Sequence, residues 1–198
     1  MFRFFESISI IDGIPQNLNY HQIRIDHTFK QFYPKMQSHH LDYLISKNVH
    51  ARFPFVKCKF SYNETAFQFF CLAYKAKCYK KFHLVYNDQI NYEYKYIDRS
   101  CFDQYLRTIP SDHQILIVKN EMLTDSSLSN LTFYDGYRWL TPATPLLKGT
   151  MRASLLADWK IHEESIQLKH LNLFKKFKLI NAMNSLDSAN EYSMNLII

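Results

Sequence analysis

Leu123-Thr124-Asp125-Ser126-Ser127-Leu128-Ser129-Asn130-Leu131 is the stretch whose reading decides the fold. Its end opens a predicted hairpin, Leu128 to Tyr134 and Tyr137 to Leu140, turned at Asp135-Gly136, a dipeptide suited to a tight β-turn. Downstream come Thr141-Pro142 and then Leu147-Lys148-Gly149-Thr150-Met151-Arg152, after which Met151 to Trp159 has helical composition without a breaker. Gly149 and Thr150 fall at that helix's first turn, where outward N–H groups and the positive end of the helix dipole suit a phosphate. An ordinary helix start has the same look. Asp125 taken alone reads as a turn or cap carboxylate as readily as a functional one.

The chain has 198 residues, 47% of them hydrophobic and 16% aromatic, enough for one large domain or two small ones with a core. Glycine is scarce, only Gly13, Gly136 and Gly149, so each marks a turn that another residue would strain. The net charge of +6 comes from basic residues spread along the sequence, densest from Lys169 to Lys178, and reads mainly as a solvated strand and loop, with a site attracting anionic substrates as the lesser reading. Aromatic residues follow strand periodicity and do not interleave with cations on one face, which argues against nucleic-acid binding. Cys58, Cys71, Cys78 and Cys101 form no C-x-x-C pair and read as reduced thiols. His39-His40 and His162-Glu163-Glu164 lack the spacing of a zinc helix and read as surface histidines, so no metal is expected. No run of about eighteen apolar residues occurs, and the expectation is a cytoplasmic protein with no membrane partner.

The first half reads as α+β. Phe4 to Ile11 is a strand, turned at Asp12-Gly13 into a short segment; Asn19 to Tyr33 is a helix stopped by Pro34; Leu41 to Lys47 is a second helix. Phe53 to Phe60, Ala66 to Ala73 and Lys80 to Tyr86 predict an antiparallel meander. Beyond Tyr94-Lys95-Tyr96-Ile97-Asp98-Arg99, a helix over Arg99 to Leu106 and a strand over Gln114 to Val118 follow, with a turn at Asn120-Glu121. Ile166 to Leu168 and Phe177 to Ile180 predict strands flanking a helical Leu171 to Lys176. The division falls near residues 90 to 112, giving lobes 1–98 and 99–198, and sites form commonly where such lobes meet.

Taken in order, the pieces resemble the class IV aminotransferases, the fold-type IV group of pyridoxal phosphate enzymes, and within them the aminodeoxychorismate lyase branch. The likeness runs through Phe5-Glu6-Ser7-Ile8, Ile11-Asp12-Gly13, Tyr20-His21-Gln22-Ile23-Arg24, the Lys95 segment, Thr124 to Leu131, Thr141-Pro142, Leu147 to Arg152 and Ile180-Asn181-Ala182-Met183. It implies an α+β fold of two lobes, a small N-terminal α/β lobe and a C-terminal mixed α/β barrel-like lobe, assembled as a homodimer.

The resemblance also implies roles. Lys95 matches the lysine that bonds the coenzyme aldehyde and shuttles protons. Arg24 matches the arginine that holds the cofactor phosphate, for which its planar fork is apt. Leu147, Thr150 and Met151 match the turn that packs beneath the ring and donates N–H groups to the phosphate, and Asn181 and Ala182 match a loop lining the same pocket. Asp125 stands where the family has a glutamate facing the pyridine nitrogen, and is one methylene shorter. The implied reaction is conversion of 4-amino-4-deoxychorismate to 4-aminobenzoate and pyruvate for folate synthesis. A true aminotransferase acting on an amino acid and a 2-keto acid would use the same cofactor residues, and a degenerate fold kept as a binding module is a third reading.

Overall fold

The computed structural model describes residues 1–49 and 53–198. The chain forms two compact units, Met1–Lys75 with Tyr94–Asp98, and Ala76–Glu93 with Arg99–Ile198. The chain leaves the first unit after Lys75 and returns to it for five residues around Lys95.

The first unit opens with β1 (Phe4–Ile11), a turn at Asp12-Gly13, and β2 (Ile14–Pro15). Helices α1 (Leu18–Phe32) and α2 (Leu41–Asn48) precede β3 (Phe55–Tyr62) and β4 (Phe67–Ala73). The four strands order as β2-β1-β3-β4, all antiparallel. Period-two alternation sends Phe4, Ile8 and Ile10 of β1 and Val56, Cys58, Phe60 and Tyr62 of β3 to one face. Ile25 and Phe29 of α1 and Leu41 and Ile45 of α2 cover that face. His39 is not a surface histidine. Its ring meets Phe29, Phe60, Tyr62 and Phe67 edge-on, and its Nε2 lies 3.0 Å from the Asn63 carbonyl.

The second unit begins with β5 (Lys81–Tyr86), then α3 (Ser100–Leu106), β6 (His113–Lys119), β7 (Met122–Ser126), β8 (Asn130–Tyr134) and β9 (Trp139–Pro142). Helix α4 (Thr150–Ala157), β10 (His162–Glu164), β11 (Lys176–Ile180) and β12 (Glu191–Ser193) complete it. Its sheet runs β10-β9-β8-β7-β6-β5, with β11 beside β8 and β12 beside β11. β5 pairs in parallel with β6, from Lys81 opposite His113 to Tyr86 opposite Val118, so it is not the third strand of a meander with β3 and β4. The turn at Asn120-Glu121 carries φ of 50° and 64°, the left-handed pair that a two-residue hairpin between β6 and β7 needs. Ile166 to Leu168 is not a strand: a 3-10 segment covers Leu168–Leu173, and the parallel pairing to β9 is made earlier, by His162 to Glu164.

β7 was not legible as a strand because Thr124 to Ser127 is polar. Its hydroxyls are buried but satisfied: Thr124 donates to the Ile117 carbonyl at 3.0 Å, Ser126 to the Ser129 carbonyl at 3.1 Å, and Ser127 to Gln114 Oε1 at 2.8 Å. Apolar residues fill the sheet's core around Phe82, Leu116, Leu131, Phe133 and Phe177. Among the described residues no helix is long and apolar enough to cross a membrane, and no cluster of three or more His, Cys, Asp or Glu could hold a metal.

Candidate active site

Lys95 and Arg24 belong to the first unit, and the other residues singled out in the sequence belong to the second. Lys95 runs alongside the start of β1, where its carbonyl accepts the Phe5 N–H at 3.0 Å and Tyr96 bridges Phe4. Its Nζ lies 4.8 Å from the centre of the Phe5 ring, and Lys59 Nζ lies 4.9 Å from the same ring.

Arg24 lies on α1 with its side chain 12% exposed and forks onto Glu6, giving Nε to Oε1 at 2.8 Å and Nη2 to Oε2. His21, one helical turn earlier, places Nδ1 2.7 Å from Glu6 Oε2. Glu6 and His21 have fully buried side chains. Burial alone would raise the Glu6 pKa, but Arg24 and His21 outweigh it and hold the carboxyl at about 2. Burial pushes His21 downward, reinforced by the charges of Arg24 and Lys95 and opposed by Glu6. A carboxylate that stays ionised down to about pH 2 therefore steadies a nearly buried guanidinium. Neither Glu6 nor His21 was singled out from sequence. The signal was present: Glu6 breaks the inward apolar series Phe4, Ile8, Ile10, and a charge at a core-facing strand position needs a buried partner.

In the second unit the predicted residues gather around the β7–β8 turn. Asp125 Oδ1 accepts Asn130 Nδ2 at 2.7 Å, and Asp125 Oδ2 accepts the Leu147 N–H at 2.9 Å. Asn130 Nδ2 also reaches the Leu147 carbonyl at 2.8 Å. The Asp125 carboxyl is pushed up to about 6, chiefly by burial, against the pull of Leu147, Asn130 and the Arg152 charge. Gly149 caps α4 with φ of −70°, an ordinary conformation, so it is needed for room and not for torsional freedom. An added Cβ would collide with Asn130 Oδ1.

Thr150 and Met151 open α4, whose first N–H groups are not used within the helix. The Met151 side chain is committed to a core with Leu155, Ile161 and Ile180, so only its backbone could meet an anion. Arg152 is buried and ties α4 to β9 and β10, through Nη2 to the Pro142 carbonyl at 2.9 Å and to Glu163 at 2.6 Å. Asn181 anchors its loop on the turn after Asp125, giving Nδ2 to Ser129 Oγ at 2.8 Å while its Oδ1 accepts the Met183 N–H at 2.9 Å. Ala182 sits half-buried at the tip of that loop.

A family model described as amino-transferase class IV matches residues 94–188. A protein of Haemophilus influenzae of uncharacterised function is 36% identical over 188 residues, covering 94% of this chain and all of the relative. A crystal structure from Haemophilus somnus 129PT, provisionally described as a 4-amino-4-deoxychorismate lyase, superposes with a TM-score of 0.87 at 35% identity, over 94% of this chain and 98% of the other. This chain is a class IV aminotransferase family member. The fold agrees with more distant members: a hypothetical aminotransferase of Mycobacterium tuberculosis in its pyridoxal phosphate-bound form reaches a TM-score of 0.72 at 12% identity, over 96% of this chain and 80% of that one.

As a class IV family member with the fold-type IV architecture, the chain is an enzyme of the pyridoxal phosphate-dependent lyase or aminotransferase kind. Each unit holds groups of the kind that coenzyme needs. The first unit carries an amine at Lys95 and a guanidinium fixed at Arg24; the second, taken by itself, carries a helix start and, at Asp125, a buried carboxyl raised to about 6, chiefly by burial. A protonated ring nitrogen beside such a carboxyl would favour its ionised form.

Proposed function

We propose that this enzyme is a lyase converting 4-amino-4-deoxychorismate to 4-aminobenzoate and pyruvate, with pyridoxal phosphate as cofactor and Lys95 as its catalytic residue. The observation that carries the reading is the 35% identity over nearly all of both chains with the Haemophilus somnus protein provisionally described as that lyase. When bound, the coenzyme supplies an aldehyde for an amine and a cationic ring that draws charge from the adjacent carbon. Lys95 would hold that aldehyde at rest, yield it to the substrate amine, take the proton from the amine-bearing carbon, and recover the aldehyde as the arylamine leaves. Asp125 would hold a proton on the ring nitrogen, which lets the ring draw charge from that carbon while the enolpyruvyl group leaves. The departing group gains a proton and becomes pyruvate, the remaining ring is aromatic, and no water or keto acid is consumed.

Arg24, steadied by Glu6, would neutralise the coenzyme phosphate, and the N–H groups of Thr150 and Met151 would donate to it. Leu147 packs against the ring, while Asn181 and Ala182 border the substrate. On this proposal the enzyme serves folate synthesis and works as a cytoplasmic homodimer. A second reading, a transaminase passing an amino group to a 2-keto acid, is favoured by the family model over residues 94–188. Incubation with 4-amino-4-deoxychorismate and no keto acid tests the choice: pyruvate and 4-aminobenzoate in equal amounts support the lyase, and turnover only with an amino acid and a keto acid together supports the transaminase.

A further inference from the structure

Cys58 and Cys71, read from sequence as reduced thiols with no C-x-x-C spacing, are directly opposite one another on β3 and β4. The type of pair they form follows from the hydrogen bonds at both ends of the ladder. The Asn63 N–H donates to the Ala66 carbonyl at 3.0 Å at the turn, and the Tyr74 N–H donates to the Phe55 carbonyl at 3.1 Å at the far end. Asn63 opposite Ala66 and Phe55 opposite Tyr74 are therefore hydrogen-bonded pairs. Since hydrogen-bonded and non-hydrogen-bonded pairs alternate along an antiparallel ladder, every odd-numbered position of β3 is hydrogen-bonded and Cys58 opposite Cys71 is not. Non-hydrogen-bonded partners stand about 4.5 Å apart at Cα with side chains on one face, at the short end of the roughly 4.4–6.8 Å that a disulfide spans. The pair is also asymmetric. Cys71 is exposed on the edge strand β4, while Cys58 lies in the core beside Phe60 and Val56.

We propose that Cys58 and Cys71 form a reversible modification site, a cross-strand disulfide made by exchange with a small-molecule disulfide of the glutathione class. The Cys71 thiolate attacks one sulfur of the oxidant and expels one thiolate, leaving a mixed disulfide on β4. Cys58 then loses its proton to solvent, and its sulfur attacks the Cys71 sulfur, breaking the mixed bond and expelling the second thiolate. Two protein thiols are oxidised to one disulfide, and the small disulfide is reduced to two thiols. Burial pushes the Cys58 thiol up, and its contact with Cys71 adds to that. The second step is accordingly slow, and the exposed thiol is the entry point. The exposed position of Cys71 on an edge strand leaves the link open to attack by excess thiol, which keeps it reducible.

The test is peptide mapping by mass spectrometry of the full-length protein after exposure to oxidised glutathione. The expected result is a transient glutathione adduct at Cys71, replaced by a linked pair of peptides containing Cys58 and Cys71, which excess reduced glutathione separates. Cys58→Ala should stop at the Cys71 adduct, and Cys71→Ser should give no link. A persistent adduct at Cys71, an unreactive Cys71, or links joining other cysteines would overturn the proposal. Should Cys58→Ala fail to fold, the map of the unmodified sequence decides alone.

Discussion

At the residue scale, two buried carboxylates are driven in opposite directions by their neighbours. Glu6 accepts from Arg24 and His21 and is held at about 2, below its ordinary 4.5. Its contribution to stability is complete above pH 4.5 and is lost as pH falls toward 2, about 3 kcal/mol across that window. Glu6→Gln should flatten acid denaturation between pH 5 and pH 2. At pH 7 it should lower stability by about 3 kcal/mol, because Arg24 then stays nearly buried without its counter-charge. Denaturant midpoints against pH check this, and an unchanged acid slope would count against it. Asp125 behaves in the reverse sense. Raised from 3.8 to about 6, it is favoured as the neutral acid in the folded state, so its contribution declines as pH rises from 3.8 to 6. The decline amounts to about 3 kcal/mol, and Asp125→Ala should abolish it in coenzyme-free protein, as read from unfolding free energies at pH 4 and pH 7. Sequence patterns marked Asp125, Leu147 and Asn181, which one turn gathers. They did not mark Glu6 and His21, because a buried charge is defined by its partner, and that partner lies a strand and a helix away.

At the scale of elements, the junction of β8 with α4 shows what a glycine can be for. Asn130 is locked by Asp125 and Leu147, and Gly149 leaves the space its Oδ1 occupies. Gly149→Ala should cost about 2 kcal/mol, the range of overpacking in a tight interior. Adding Asn130→Ala should cost less than the sum of the two single changes, since both report one contact. A double-mutant cycle by chemical denaturation measures this, and strict additivity would contradict the account. Periodicity sufficed for β1, α1, α2 and the β8–β9 hairpin, whose apolar spacing and turn residues are local. It failed for β5, whose composition suits either sheet and whose partner β6 is distant in sequence. It also failed for β7, whose buried hydroxyls look like a loop until their acceptors are known.

At the scale of the molecule, membership of the class IV aminotransferases assigns the coenzyme class, while the reaction rests on how Lys95 and its neighbours treat a substrate. A net charge of +6 favours anionic substrates such as the dicarboxylate proposed, and salt should raise the apparent KM without matching loss of kcat. Steady-state kinetics from low to high ionic strength would show it, and a salt-independent KM would remove that role for the charge. The central claim is that Lys95 is the amine that bonds the coenzyme. Protein incubated with pyridoxal phosphate, freed of excess and reduced with borohydride should carry the coenzyme mass on the peptide containing Lys95. It should also show a visible absorbance band before reduction that Lys95→Ala lacks. Coenzyme fixed to another lysine, or a band that survives Lys95→Ala, would contradict the account.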